Sequence, residues 1–324
     1  MTPFQNIQQT LAPELTLLNE RIQATLHSPN ALMNRVVNNY LEKKGKQIRP
    51  IMVLLSAKLF GEVNDKVISG AVAVELLHNA SLIHDDVVDD TMIRRGSPTI
   101  NGTWDNHLAV LVGDFFLSNA LLQSVGTDDI RIVGSISNLG RLLSIGELDE
   151  IYNARYNELD EDTYFKIIYR KTASLFVSCV EVGAYGVGVD DHRLDILREF
   201  ARLVGLCFQI KDDIFDYFSD EKVGKPTGND LREGKITLPL LHVLEDTSHP
   251  DHHRMVELAR QDNLNTEEIN FLIHQAVECG GIDYAYATMQ RLRDQAVGLL
   301  SEFPDSPVRQ AMTSLIDYII VREN

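Results

Sequence analysis

The chain has 324 residues, of which 44% are hydrophobic and 24% charged, and its formal net charge is -17. That much apolar material can fill a substantial core, while the negative field repels nucleic-acid phosphates and anionic lipid surfaces, so neither is expected as a general partner. The opening MTPFQNIQQTLAPEL has no basic, apolar leader, and clean apolar runs such as 51–55 fall far short of the roughly 20 residues of a membrane span. Cys179, Cys207 and Cys279 make no CxxC and lie in apolar, helical surroundings. They read as reduced core thiols, and a cytoplasmic protein is expected.

Apolar residues recur at helical spacing almost from end to end, and strand-like alternation is missing. No Pro/Gly/Ser-rich linker divides the chain. The expectation is an all-α fold, a single helical-bundle domain over 1–324. Residues 3–27 and 30–44 read as two amphipathic helices. Gly45-Lys46-Gln47-Ile48-Arg49-Pro50 then interrupts, and a buried helix is expected from Ile51. Two cations three residues apart between Gly and Pro fit either an ordinary loop or an anion cradle, in which loop, helix N-terminus and basic side chains act together.

From Val72 to Ile83 the chain is apolar nearly all round, the mark of a buried helix. It runs into Asp85-Asp86-Val87-Val88-Asp89-Asp90 at its C-terminal end. The helix dipole is negative there, and each carboxylate adds about 0.3–1 kcal/mol of repulsion. Asp85 and Asp89, one turn apart, also repel each other. A hard cation such as Mg²⁺ resolves the arrangement, because it takes one or two carboxylates and leaves other positions to water and phosphate. The other reading is a solvated acidic helix end. Arg94 and Arg95 follow, placed to neutralise the aspartates or to clamp phosphate oxygens.

Residues 107–125 and 130–154 read as further helices, and the acidic residues of Gly146-Glu147-Leu148-Asp149-Glu150 as a solvated face in preference to a support for residues of the site. Lys171 and Thr172 lie in a helix whose following turns are small and apolar, a setting that wants an anion. Residues 203–217, LVGLCFQIKDDIFDY, repeat the first acidic pattern with Asp212, Asp213 and Asp216. A Gly- and Pro-punctuated loop bearing Lys222, Lys225 and Lys235 comes next, suited to closing over a ligand. Two copies in matching context favour metal and diphosphate over a solvated helix end: two buried helices facing one another, with metal ions between them. His249, His252 and His253 have a spacing open to zinc, but their surroundings read as an exposed turn. Three or so amphipathic helices follow Arg254, one starting near Thr266 and stopping at Gly280-Gly281.

Together these residues resemble the trans-polyprenyl diphosphate synthase (isoprenyl diphosphate synthase) family, with its separate motifs in order and covering nearly the whole chain. The resemblance implies a bundle of the isoprenoid-synthase type around a central substrate cavity. It implies that Lys46, Arg49 and Arg95, helped by His78, bind isopentenyl diphosphate. Asp85, Asp86 and Asp89 match the first metal-binding motif, and Asp212, Asp213 and Asp216, with Gln209, the second. Arg94, Lys225 and Lys235 match residues on the allylic diphosphate, and Lys171 with Thr172 matches the family's Lys-Thr pair. The catalytic burden is expected on Asp85, Asp89, Arg94, Lys171, Gln209, Asp212 and Lys225. About three Mg²⁺ ions would pull away the allylic leaving group, and the double bond of isopentenyl diphosphate would attack the carbocation. A homodimer is implied, and a peripheral membrane contact for product hand-off stays open.

Product length is read from the helix before Asp85. One turn is about 5.4 Å, close to one isoprene unit, so side chains there act as depth stops. Family members that cap short products carry aromatic residues at the positions of Ala80 and Ser81. These two are small, so a long all-trans product of about C30–C50 is expected, resembling the octaprenyl or solanesyl synthases that make quinone side chains. Leu76, Leu77 or a residue from the helices of 107–145 could still stop growth at a C20 product, and a short C15 or C20 product is the competing expectation. A terpene cyclase would carry a mixed second motif in place of Asp212-Asp213-Xaa-Xaa-Asp216. A phosphohydrolase suggested by His84-Asp85 leaves the second motif unexplained. A regulatory subunit of a heteromeric synthase is opposed by the intact aspartates and basic residues.

Overall fold

Helix runs through nearly every part of the chain, as the spacing of its apolar side chains predicts. The structure, a computed structural model, describes residues 2–42, 45–94, 96–156, 158–218 and 227–321. Arg95, Lys222 and Lys225 lie outside the described residues.

In place of one helix over 3–27 there are two, α1 (Pro3–Thr10) and α2 (Ala12–Thr25). Pro13 stands in the first turn of α2, where its missing N–H costs nothing; in a continuous helix its ring would strike the preceding turn. α3 (Ala31–Leu41) is capped by the Asn30 side chain. α4 (Ile48–Lys58) starts three residues before the expected Ile51, because Pro50 is tolerated in a first turn. α5 (Asp65–Val88) carries the first aspartates. Its end leads into a two-residue hairpin, β1 (Ile93–Arg94) antiparallel to β2 (Ser97–Pro98), with Arg94 opposite Ser97 and Gly96 at φ +71 in the turn. α6 (Ile100–Thr103), α7 (Asn106–Val125) and α8 (Ile130–Tyr156) follow. α9 (Glu161–Ile168) passes through a π-helical turn, Tyr169–Ala173, into α10 (Ser174–Gly186). α11 (Asp191–Asp216) carries the second aspartates. After the short α12 (Asn229–Arg232) come α13 (Leu238–Glu245), α14 (His252–Ala259), α15 (Thr266–Glu278), α16 (Gly281–Leu300) and α17 (Pro307–Val321). The boundary expected at Gly280-Gly281 is there, with Gly280 at φ +82.

The chain divides into two compact units. The first comprises Met1–Arg141, Leu175–Glu199 and Leu300–Leu315; the second comprises Leu142–Ser174, Phe200–Leu299 and Ile316–Asn324. In the first, α5 packs along α4, α2 and α7, and Val67, Ala71, Val72, Val74 and Leu76 are fully buried. Burial of each large aliphatic side chain contributes about 1.5–3 kcal/mol. In the second, α13 packs on α9, α14 and α15 through Leu238, Leu240, Leu241 and Val243. Cys179 and Cys207 are buried thiols, as expected, whereas Cys279 is exposed.

α5 and α7 are each long and apolar enough, by length and composition, to cross a membrane, although neither contains an unbroken apolar run of that length. The apolar window of α5 is 67% buried and belongs to the core; that of α7 is 33% buried and leaves Leu111, Leu122 and Val125 exposed.

Candidate active site

In the first unit, the basic loop meets the start of α4. Gln47 takes φ 54, a left-handed conformation that turns the chain sharply, and no side chain caps the N-terminus it precedes. An uncapped N-terminus beside Lys46 and Arg49 suits an anion. Lys46 is exposed, while Arg49 is half-buried with its guanidinium 5.9 Å above the Phe176 ring. His78 is half-buried on α5.

α5 delivers its aspartates in graded exposure: Asp86 buried, Asp85 half-buried, Asp89 exposed at the cap position. Asp86 is held at 2.7 Å by Nε of Arg94, so Arg94 neutralises an aspartate in this arrangement. Burial pushes the Asp86 carboxyl above its usual range, and the Arg94 charge opposes that rise. Asn101 donates to the backbone oxygens of Asp86 and Thr91, satisfying carbonyls that a helix end leaves open. The His84 ring is engaged with α7, 3.3 Å from the Val110 carbonyl and 3.5 Å from Asp114, which accounts for it in helix packing. Up the helix, Ala80, Leu77 and Leu76 are buried, and the Ser81 hydroxyl donates back to the His78 carbonyl.

In the second unit, Lys171 and Thr172 lie in the π-helical turn, a widened turn that recurs at functional sites. α8 approaches this turn so closely at Gly146 that a Cβ there would stand 2.8 Å from the Lys171 backbone nitrogen. Lys171 Nζ bonds Glu150 at 2.6 Å and Glu147 at 2.8 Å, and Lys235 Nζ bonds Glu150 at 2.8 Å and Glu233 at 2.7 Å. The reading of Glu147 and Glu150 as a solvated face is therefore corrected: both are half-buried counter-ions. Burial alone would raise the Glu150 carboxyl, but Lys171 and Lys235 more than reverse it and hold it below its usual range. Burial likewise works against the Lys171 cation, and Glu150 and Glu147 more than restore it.

Beside this cluster a hydrogen-bonded chain runs from Thr172 to Tyr164. The Thr172 hydroxyl donates to Gln209 Oε1 at 2.6 Å, the Gln209 amide donates to Asp213 Oδ1 at 2.7 Å, and the Tyr164 hydroxyl donates to Asp213 Oδ2 at 2.5 Å. Gln209 and Asp213 meet because they are four apart on α11. Asp213 is buried and its carboxyl is pushed up to about 7, chiefly by burial, with Tyr164 and Gln209 pulling the other way. Asp212 is exposed and Asp216 buried, the latter accepting the Asp230 N–H at 2.9 Å. Asp230, half-buried, is itself raised by burial and by Asp213 and Asp216. Tyr164, Asp230 and Glu233 were not foreseen. Tyr164 and Glu233 carry no local motif, and only the proximity of Asp230 to the basic loop hinted at it.

Carboxylate oxygens with water and phosphate are what Mg²⁺ prefers, so the residues of both aspartate sets fit that ion by donor chemistry. Another set in the second unit could also hold a metal ion: one ligand atom from each of Glu161, His242 and Glu245 lies within 4.8 Å of the others.

Residues 30–276 match the Polyprenyl synthetase family. The chain belongs to it. It is 36% identical over 315 residues to an all-trans-nonaprenyl-diphosphate synthase (geranyl-diphosphate specific) of Rhodobacter capsulatus, covering 96% of this chain and 95% of that one. A decaprenyl diphosphate synthase structure from the same organism superposes with a TM-score of 0.92 at 30% identity, over 99% of this chain and 100% of the other. A geranylgeranyl pyrophosphate synthase from Bacteroides thetaiotaomicron does so with a TM-score of 0.83 at 34% identity, over 98% of each. The protein is thus a prenyltransferase of the polyprenyl synthetase family, catalysing the Mg²⁺-dependent condensation that yields an all-trans polyprenyl diphosphate.

Proposed function

We propose that this polyprenyl synthetase condenses isopentenyl diphosphate head-to-tail (1'-4) with an allylic prenyl diphosphate to give a long product, about C30–C50, of the kind used for quinone side chains. The observation that carries the length is the row of small and aliphatic side chains on α5 before Asp85. Ser81 is half-buried with its hydroxyl turned to its own helix, Ala80 is small, and the first bulky residues are Leu77 and Leu76, about one turn further on. Relatives named for nonaprenyl and decaprenyl products support the reading. The similar geranylgeranyl enzyme supports the shorter alternative, in which Leu76 or Leu77 ends growth.

In this reading Lys46 and Arg49 grip the diphosphate of isopentenyl diphosphate, using the uncapped start of α4, with His78 beside it. The carboxylates of each aspartate set would hold magnesium, which when bound would supply Lewis-acid stabilisation of the departing diphosphate. Lys171 and Lys235 are kept cationic and aligned by Glu150, ready to donate remaining N–H groups to phosphate oxygens. Asp213, Gln209 and Thr172 hold one another's side chains in place, so Lys171 starts from a fixed neighbour. The enzyme is proposed to work in the cytoplasm as a homodimer, the exposed Leu111, Leu122 and Val125 of α7 offering an apolar face for a second copy. Light scattering that returns a monomer would remove that part. Product release to a membrane would need only a peripheral contact.

The test is incubation with Mg²⁺, isopentenyl diphosphate and farnesyl diphosphate, followed by mass spectrometry of the dephosphorylated products. Chains of C30 or longer are expected, shortened to C15–C20 in Ala80→Phe. Wild-type products no longer than C20 would overturn the length assignment, and silence until a second protein is added would make this chain a subunit of a heteromeric synthase.

A further inference from the structure

We propose that Glu161, His242 and Glu245 bind one divalent cation of the zinc class, at a site separate from the aspartates that serve magnesium. His242 and Glu245 are three residues apart on α13 and so share a face, while Glu161 opens α9, which packs against α13. The side chain that caps α9 is Asp160, so Glu161 is not needed for that purpose. One donor atom from each of the three residues falls within 4.8 Å of the others. Tetrahedral zinc bonded at about 2.0–2.2 Å sets its ligand atoms roughly 3.5 Å apart. The remaining shift is small, and Glu245 is exposed and able to make it.

The independent observation is a pair of unsatisfied atoms. Glu161 Oε1 and His242 Nδ1 are both buried, and neither has a hydrogen-bond partner among the described residues. Buried polar atoms are almost always paired, and carboxylate oxygen with imidazole nitrogen is a donor set that zinc accepts. Tyr284 orients both: its hydroxyl donates to Glu161 Oε2 at 3.0 Å, and its ring stacks on His242 at 3.8 Å with planes 4° apart. Outer contacts of this kind fix ligand geometry at metal sites.

The donors also select the ion. Magnesium takes hard oxygens and keeps several waters, whereas imidazole suits zinc and its neighbours in the Irving–Williams order. His242 and Glu245 border a cavity of about 330 Å³ whose lining includes His249 and Cys279, the Cys279 sulfur standing 3.5 Å from His249 Nε2. These are again borderline and soft donors. The spaced histidines His249, His252 and His253 do not themselves make the site: His252 is engaged with the Leu244 carbonyl and His253 is fully exposed. A bound cation would clasp the first turn of α9 to the last turn of α13, three residues before Tyr164, which donates to Asp213. It is a positioning site, and its existence does not depend on product length.

Chelator-stripped protein in excess Mg²⁺, which fills the aspartates, is titrated with Zn²⁺ by calorimetry and with Co²⁺ by visible absorption. One equivalent is expected to bind and resist Mg²⁺, with affinity falling at least about tenfold in His242→Gln and in Glu245→Gln. Glu245 is exposed, so that variant folds whatever happens at His242, and its titration is decisive alone. Absence of a Mg²⁺-resistant equivalent, binding unchanged in Glu245→Gln, or binding abolished instead by Cys279→Ser would each overturn the assignment.

Discussion

The two aspartate sets have the same spacing in sequence and different surroundings in the structure. Of the first, Asp89 is exposed and Asp85 half-buried, and the buried Asp86 answers to one cation, Arg94. Of the second, Asp212 is exposed, while Asp213 is clamped between Tyr164 and Gln209 and Asp216 holds the Asp230 backbone. A motif fixes which carboxylates share a helix face; the neighbouring helices decide which of them are buried. In the first set the buried carboxylate is tied to a side chain, and in the second the buried carboxylates also join α11 to its neighbours.

Substitutions can break that contrast. Asp85→Asn is expected to lower kcat by at least about 10³-fold, roughly 4 kcal/mol of transition-state stabilisation, with the thermal midpoint unchanged; full activity in a steady-state elongation assay would refute the metal role. Glu150→Gln should act on both stability and catalysis, because it leaves two half-buried lysines each short of a counter-ion. A loss of about 2 kcal/mol is expected from chemical denaturation, together with a raised KM for the allylic substrate.

The smallest effect concerns pH. The Asp213 carboxyl is raised in the folded protein relative to about 3.8, so the folded state binds its proton more tightly than the unfolded state. Its contribution to stability is greatest at low pH and declines from about pH 4 up to about pH 7. Metal-free protein should accordingly lose stability across that window more steeply than Asp213→Asn does; parallel melting curves would show that Asp213 titrates normally.

Much of this was legible in the sequence, for reasons that particular residues make plain. Helical periodicity and the apolar faces of α5 and α11 are local properties, and so are the aspartate spacings and the Gly45–Pro50 punctuation. Pro13 and the Arg94–Pro98 turn were legible too and were underread, which merged α1 with α2 and overlooked the hairpin. Glu150 was different. Its i,i+3 partner Glu147 looks like any solvated pair until Lys171 and Lys235 arrive from residues far along the chain. Glu161 and His242 likewise become a pair only when α9 meets α13.

The π-helical turn at Tyr169–Ala173 has its own corollary for the segment 161–186. A widened turn takes up its extra residue within about the same arc, so the side chains after it keep the bearing they would have without it. Residues of α9 count with the second unit and residues of α10 from Leu175 with the first, the division falling just after the widened turn. A single-residue deletion there would leave an unbroken α-helix whose later side chains keep their compass bearing, so that what is lost is the widened turn presenting Lys171 and Thr172.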